Sequence, residues 1–167
     1  MIPPVPRAPF PVPRSPFTSP FPPMRLTLLL AISIASPVVA QQKEVLDVPG
    51  AVAGLPFSPA VKVGNIIYLS GQLGNRMGTR TLVPGGIGPE TRQTFENIKT
   101  VLEAAGSSLD EVFKCTVFLA DIAEYEAMNK VYASVFKVEP PARSTIAGSG
   151  LALGARVEIE CMATVGR

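Results

Sequence analysis

The chain contains no histidine. That absence excludes a Ser-His-Asp triad, a Cys-His dyad and any zinc site built on imidazole. Cysteine is nearly as scarce, since Cys115 and Cys161 are the whole supply, and two thiolates alone cannot make a structural metal site. Charge is sparse too: charged residues are 17% of the chain, with 15 Lys and Arg against 13 Asp and Glu. Such a balance offers no basic footprint for nucleic acid.

What is present is a hydrophobic chain, 47% apolar over 167 residues, which fits one globular domain with something extra at an end. The extra lies at the N-terminus. Residues 1–23 carry Pro3, Pro4, Pro6, Pro9, Pro11, Pro13, Pro16, Pro20, Pro22 and Pro23. A stretch so poor in backbone donors cannot build a packed core. Met24-Arg25 then opens an apolar run from Leu26 to Ile34, broken only by Thr27 and Ser33, and Val38-Val39-Ala40 follows. One basic residue, a hydrophobic stretch short for a bilayer and small residues at −3 and −1 are the anatomy of a secretory signal. The expected organisation is therefore a proline-rich extension or misassigned start over 1–23, with Met24 as the true start, a signal peptide over 24–40 cut after Ala40, and a domain over 41–167. The competing reading is a genuine extension with an uncleaved anchor. Cleavage removes Arg7, Arg14 and Arg25 with no acid, taking the formal charge from +2 to −1. The mature protein is then periplasmic or secreted, with no membrane attachment.

Along the remaining chain, Gln41 to Pro56 shows no clear periodicity. Ala60 to Val63 and Ile66 to Gly71 flank Gly64-Asn65 as a hairpin. Gly74 to Gly88 is rich in turn formers, with room for a short strand over 79–83. The spacing of Phe95, Ile98, Leu102 and Ala105 predicts a helix over 89–105, with Pro89 in its first turn and Gly106 as its stop. A strand follows over 111–120. Asp121 with Glu124 resembles a capping box for a second helix whose apolar face is Tyr125, Met128, Tyr132, Val135 and Phe136. After Pro140-Pro141 come strands over 143–147 and 155–165. The order ββ(β)αβαββ gives an α+β or α/β sandwich with both helices on one sheet face. In the last strand Val157, Ile159, Cys161 and Ala163 face the helices while Glu158, Glu160 and Met162 face away. Tyr68 and Phe118 also fall on the uncovered side, and a mixed face without its own layer predicts an oligomer.

Two residues between Pro140 and Cys161 bear chemistry. Arg143 is a permanently charged planar fork suited to a carboxylate. Glu158, on rigid strand backbone, suits the holding or activation of a water. Together they form a hydrolase constellation, although Glu160 shares the face of Glu158 and either acid can be the partner of a lysine or arginine instead. Cys115 and Cys161 share the helix-facing parity of their strands. They are either small buried hydrophobes or, if the strands are neighbours, a disulfide formed in an oxidising compartment.

From about Pro56 to Val165 the sequence resembles the Rid (reactive intermediate deaminase, YjgF-type) family. The matching segments include Ala60-Val61-Lys62-Val63-Gly64-Asn65, Leu69-Ser70-Gly71-Gln72, Thr91-Arg92-Gln93, Glu103-Ala104-Ala105-Gly106, Thr116-Val117-Phe118-Leu119, Asn129-Lys130-Val131-Tyr132, Pro141-Ala142-Arg143-Ser144 and Val157-Glu158-Ile159-Glu160. The resemblance implies a chorismate-mutase-like α+β fold, a mixed β-sheet with two helices on one face, in a homotrimer with clefts between subunits. It implies hydrolysis of 2-imino acids to 2-oxo acids and ammonia, of the 2-iminobutanoate/2-iminopropanoate deaminase type, with no cofactor and no metal. By position, Arg143 grips the substrate carboxylate, Glu158 orients the attacking water, and Ser70 and Asn129 line the pocket. Two pocket positions depart from the pattern: Phe57 stands where the well-studied deaminases have a tyrosine, and Thr145 where many have a cysteine. The alternative within the same fold is a non-catalytic module that binds small carboxylates or acts as a chaperone. A nuclease role also attached to the family ranks last, without histidine or a basic groove.

Overall fold

The computed structural model describes residues 42–166. The segments read as extension and signal peptide, 1–23 and 24–40, lie outside the described residues. Seven strands and two α-helices follow in the order β1 (Lys43–Leu46), β2 (Ala60–Val63), β3 (Ile66–Leu69), β4 (Gln72–Leu73), α1 (Ile87–Ala104), β5 (Val112–Leu119), α2 (Tyr125–Val135), β6 (Ala142–Ala147) and β7 (Val157–Thr164). They form one mixed sheet ordered β1-β2-β3-β7-β5-β6, with β4 also pairing β7. All pairs are antiparallel except β5 with β6, whose parallel link runs through α2. This is the α+β arrangement of two helices on a mixed sheet.

Local chemistry sets most of the boundaries. Gly64 turns the β2–β3 hairpin at φ 63°, so Val63 pairs with Ile66. At the end of α1 the Ser107 amide donates to the Leu102 carbonyl and that of Gly106 to Glu103, the double closure of a Schellman stop at a left-handed glycine. The helix starts at Ile87, two residues before Pro89, because Gly86 is the N-cap and the first turn tolerates a proline.

Four expectations change. The leader holds β1, whose Lys43 and Glu44 hide it from a periodicity test; it is held by pairing with β2 and by Glu44 on Lys62 at 2.7 Å. The strand expected over 79–83 is a single bridge between Asn75 and Leu82. Asp121 caps a short 3-10 turn, accepting from the Ala123 amide at 2.9 Å, and Glu124 does not close the box. Its carboxylate instead takes the guanidinium of Arg156, with Nε at 2.7 and 2.9 Å from its two oxygens. Finally, the strand from Ile66 breaks after Leu69. Tyr68 pairs with Met162 and Gln72 with Ile159, so three residues oppose two and Ser70-Gly71 sits in a bulge.

Both helices cover one sheet face. Ile67, Val117, Leu119, Val157 and Ile159 from the sheet are fully buried against Ile98, Leu102 and Met128 from the helices. Phe95, Tyr132 and Phe136 close one end of this core, with ring centroids 5.0 to 5.5 Å apart. Alternation along β7 is complete: Val157, Ile159, Cys161 and Ala163 are buried, and Glu158, Glu160 and Met162 are half-exposed. Strands β5 and β7 are neighbours, with Cys115 opposite Cys161. The two are joined as a buried disulfide, Cα to Cα 4.1 Å.

Candidate active site

Arg143 reaches its position because Pro140-Pro141 ends the α2 connection and β6 then pairs with β5, setting Arg143 level with Cys115. Neighbours in a parallel register share a face, so Arg143 lies on the helix side of the sheet. Its guanidinium is held by α2 at three points. Nη1 donates to Asn129 Oδ1 at 2.8 Å, and Nη2 donates to the Tyr125 hydroxyl at 2.8 Å. The guanidinium carbon also lies 4.4 Å from the centroid of the Tyr132 ring, a cation–π contact. Tyr125, Asn129 and Tyr132 occur at i, i+4 and i+7, one stripe of one helix. Burial pushes the Tyr132 phenol up to about 12 against the opposing pull of Arg143, so the ring beneath the cation is neutral.

Thr145, two residues further along β6, shares the face of Arg143. Its buried hydroxyl oxygen has no hydrogen-bond partner among the described residues.

Glu158 lies on the other face. It pairs with Phe118 of β5 and Leu73 of β4, and the parity that puts Cys115 under the helices puts Phe118 and Glu158 on the open side. The bulge brings the glycine backbone against this acid: a Cβ on Gly71 would fall 1.9 Å from Glu158 Oε1. Partial burial, and secondarily the charge of Glu160, hold the Glu158 carboxyl above the ordinary glutamate value of 4.5. A carboxylate raised in this way is the better proton acceptor near neutrality.

The structure therefore does not bring Arg143 and Glu158 together within one chain. Alternation shows which neighbours in a single strand share a face, but the relation between β6 and β7 depends on both registers through β5.

Ser70 is engaged locally: its hydroxyl donates to the Ser58 carbonyl at 2.7 Å, and its amide donates to the Pro59 carbonyl. It pins the segment that carries Phe57 and keeps only acceptor capacity for a ligand. Phe57 is 56% exposed. Its ring lines a cavity of about 310 Å³ with Leu55, Gly71, Leu73 and Leu153. Asn129, expected to line the pocket, acts on Arg143 directly. Tyr125 and Gly71 were missed as site residues. The signal for Tyr125 was its i, i+4 spacing from Asn129, and for Gly71 its place beside Ser70 in a strand. Among the described residues no group of three or more Cys, Asp or Glu stands together as a metal site.

The sequence profile of the family described as Endoribonuclease L-PSP matches residues 49–165. The chain belongs to this family. Among the chain's relatives, the 2-iminobutanoate/2-iminopropanoate deaminase of Capra hircus is 45% identical over 111 residues, 66% of this chain and 81% of that one. Reactive Intermediate Deaminase A, chloroplastic, of Arabidopsis thaliana is 39% identical over 125 residues, 74% of this chain and 67% of its own length. The crystal structure of E. coli TdcF with bound serine superposes with a TM-score of 0.68 at 27% identity, covering 74% of this chain and 99% of that one. Family membership covers the Rid resemblance read from the sequence segments, and the mixed sheet with its two helices is the fold these members share.

Proposed function

We propose that the protein hydrolyses reactive 2-imino acids to 2-oxo acids and ammonia, as a deaminase of the 2-iminobutanoate/2-iminopropanoate type. The observation that carries this reading is the guanidinium of Arg143, held in one orientation by Asn129, Tyr125 and the Tyr132 ring. Arginine presents five N–H donors; with two engaged on α2, three remain for a carboxylate. A charged fork fixed in advance binds a carboxylate with less loss of side-chain freedom. The names of the goat and Arabidopsis relatives support the reaction, and the serine bound to E. coli TdcF supports a small amino-acid-like ligand.

In the reaction, water adds to the carbon of the C=N bond and gives a carbinolamine. The C–N bond then breaks, nitrogen leaves as ammonia, and the C=O bond forms. No electrons change hands, so the step needs neither oxidant nor reductant. Glu158 orients the water, takes its proton as the C–O bond forms and passes it to the nitrogen, which then leaves as ammonia. Arg143 holds the carboxylate end, and positioning contributes much of the rate.

Because the two residues occupy opposite sheet faces, the site is completed between copies, in a homotrimer where Arg143 of one subunit meets Glu158 of the next. The half-exposed Phe118 and Met162 and the exposed Tyr68 on the uncovered face support such an assembly. Export through the 24–40 signal places this activity in the periplasm or outside the cell, where the Cys115–Cys161 disulfide is at home.

A coupled assay with an enzymatically generated 2-imino acid tests the proposal. Acceleration of 2-oxo acid release by a protein of trimeric mass is expected; a trimer with no acceleration over buffer overturns it. One observation favours a non-catalytic carboxylate-binding module instead: Phe57 presents a ring without a hydroxyl donor. Ligand binding that is lost in Arg143→Ala, with no turnover in either protein, would select the module.

A further inference from the structure

We infer that Tyr125 is a positioning residue for the carboxylate clamp, acting through Arg143. The inference deepens the function proposed above and rests on its carboxylate-clamp reading. The amphipathic pattern of α2 marks Tyr125 as part of the buried apolar stripe, yet its side chain is not in the core. It is 37% exposed, and its hydroxyl oxygen accepts from Arg143 Nη2 at 2.8 Å. Its ring centroid lies 5.5 Å from the guanidinium carbon.

Asn129 accepts from the other terminal nitrogen at the same distance. Two acceptors one helical turn apart, each on a different Nη, fix the rotation of the guanidinium about its own long axis. The Tyr132 ring, its centroid 4.4 Å from the guanidinium carbon, carries the cation on its face. Asn129 alone would leave the fork free to swing about one contact. The Tyr125 hydroxyl removes that freedom, so the directions of the remaining N–H groups are set before a carboxylate arrives. Tyr125→Phe keeps the helix and the ring and loses only the hydroxyl.

The test compares wild type with Tyr125→Phe in the full assembled protein. For a 2-imino acid, KM rises about tenfold with kcat little changed, as when uniform binding is lost. That fold-change equals about 1.4 kcal/mol, the size of the ordering cost of one rotamer-rich side chain. For the corresponding imino amide, which has no carboxylate, the two proteins behave alike. Binding of 2-oxobutanoate, read by calorimetry, weakens by the same factor and requires no turnover. If wild type binds 2-oxobutanoate without deaminating anything, and the variant binds it tenfold less tightly, the positioning role stands while the deaminase reading falls. Equal affinity in both proteins, an equal loss on the imino amide, or no 2-oxobutanoate binding by wild type each overturns the inference.

Discussion

Replacing Arg143 separates its role in binding from any role in holding the fold. In Arg143→Ala the fork is lost together with its bonds to Asn129 and Tyr125. A hydrogen bond to a charged group contributes about 1.5–3 kcal/mol when buried. Two such bonds to a carboxylate, at a half-buried edge-strand position, should together contribute about 3 kcal/mol, slightly over a hundredfold in Kd. Arg143→Lys keeps the charge but cannot reach two acceptors and a carboxylate at once, so about tenfold is expected to be lost. The fold should not suffer, because Asn129 is half-buried and Tyr125 exposed, and water can replace the guanidinium at both. Calorimetric titration with 2-oxobutanoate, alongside a thermal melt, reads both quantities. An Ala variant that binds within threefold of wild type, or a Lys variant that equals it, refutes the clamp. A melting temperature lowered by about 10 °C or more, roughly 2 kcal/mol or above for a domain of this size, with Kd unchanged, would assign Arg143 to the fold instead.

The other expectations concern the open face and the core. Glu158 has a raised folded-state pKa, so its contribution to stability is fully present below 4.5 and is lost as pH rises through the folded value. Relative to Glu158→Gln, wild type should therefore lose stability as pH climbs above 4.5, which urea titrations at a series of pH values would read; a gap independent of pH refutes the assignment. The same variant should lower kcat by about a hundredfold if Glu158 handles the water, and a variant as fast as wild type removes it from that role. In Gly71→Ala, the new methyl would take the place of Glu158 Oε1, the far end of a flexible side chain. The fold should persist while kcat falls towards that of Glu158→Gln; unchanged kcat would show that the bulge does not seat the acid. Cys115 and Cys161 close a loop with a sequence separation of 46, which in the chain-entropy picture contributes about 4 kcal/mol. A thiol titration of the oxidised protein should find no free cysteine, and Cys115→Ala with Cys161→Ala should unfold at markedly lower denaturant; equal midpoints would show that the bond contributes nothing.

The sequence made legible whatever is fixed by near neighbours. The Gly64-Asn65 turn, the Gly106 stop and the two-residue alternation of Val157 to Ala163 each follow from local backbone preference, and all three stand in the structure. Features decided by distant strands were hidden. The bulge at Ser70-Gly71 follows from where β7 pairs, not from anything in the Leu69 to Gln72 segment. Glu124 looked like a cap because its partner, Arg156, is 32 residues away. Tyr125 looked apolar for the same reason, its hydroxyl meeting an arginine 18 residues further on. In both cases a side chain that fits a helix pattern was claimed by a cation from another element.

The division of Arg143 and Glu158 between sheet faces has a chemical consequence under the proposed reaction. Recognition of the carboxylate is built within one chain, since Asn129, Tyr125 and Tyr132 all come from the helix that packs over Arg143. Handling of water is built on the opposite face, where Glu158 is seated by Gly71 and raised by burial and Glu160. A single copy then has what it needs to hold a 2-oxo or 2-imino acid but lacks the second group at the reacting carbon. Only assembly supplies the proximity that converts a bound imine into an oriented one. Affinity should accordingly follow the α2 cradle, and turnover the contact between copies.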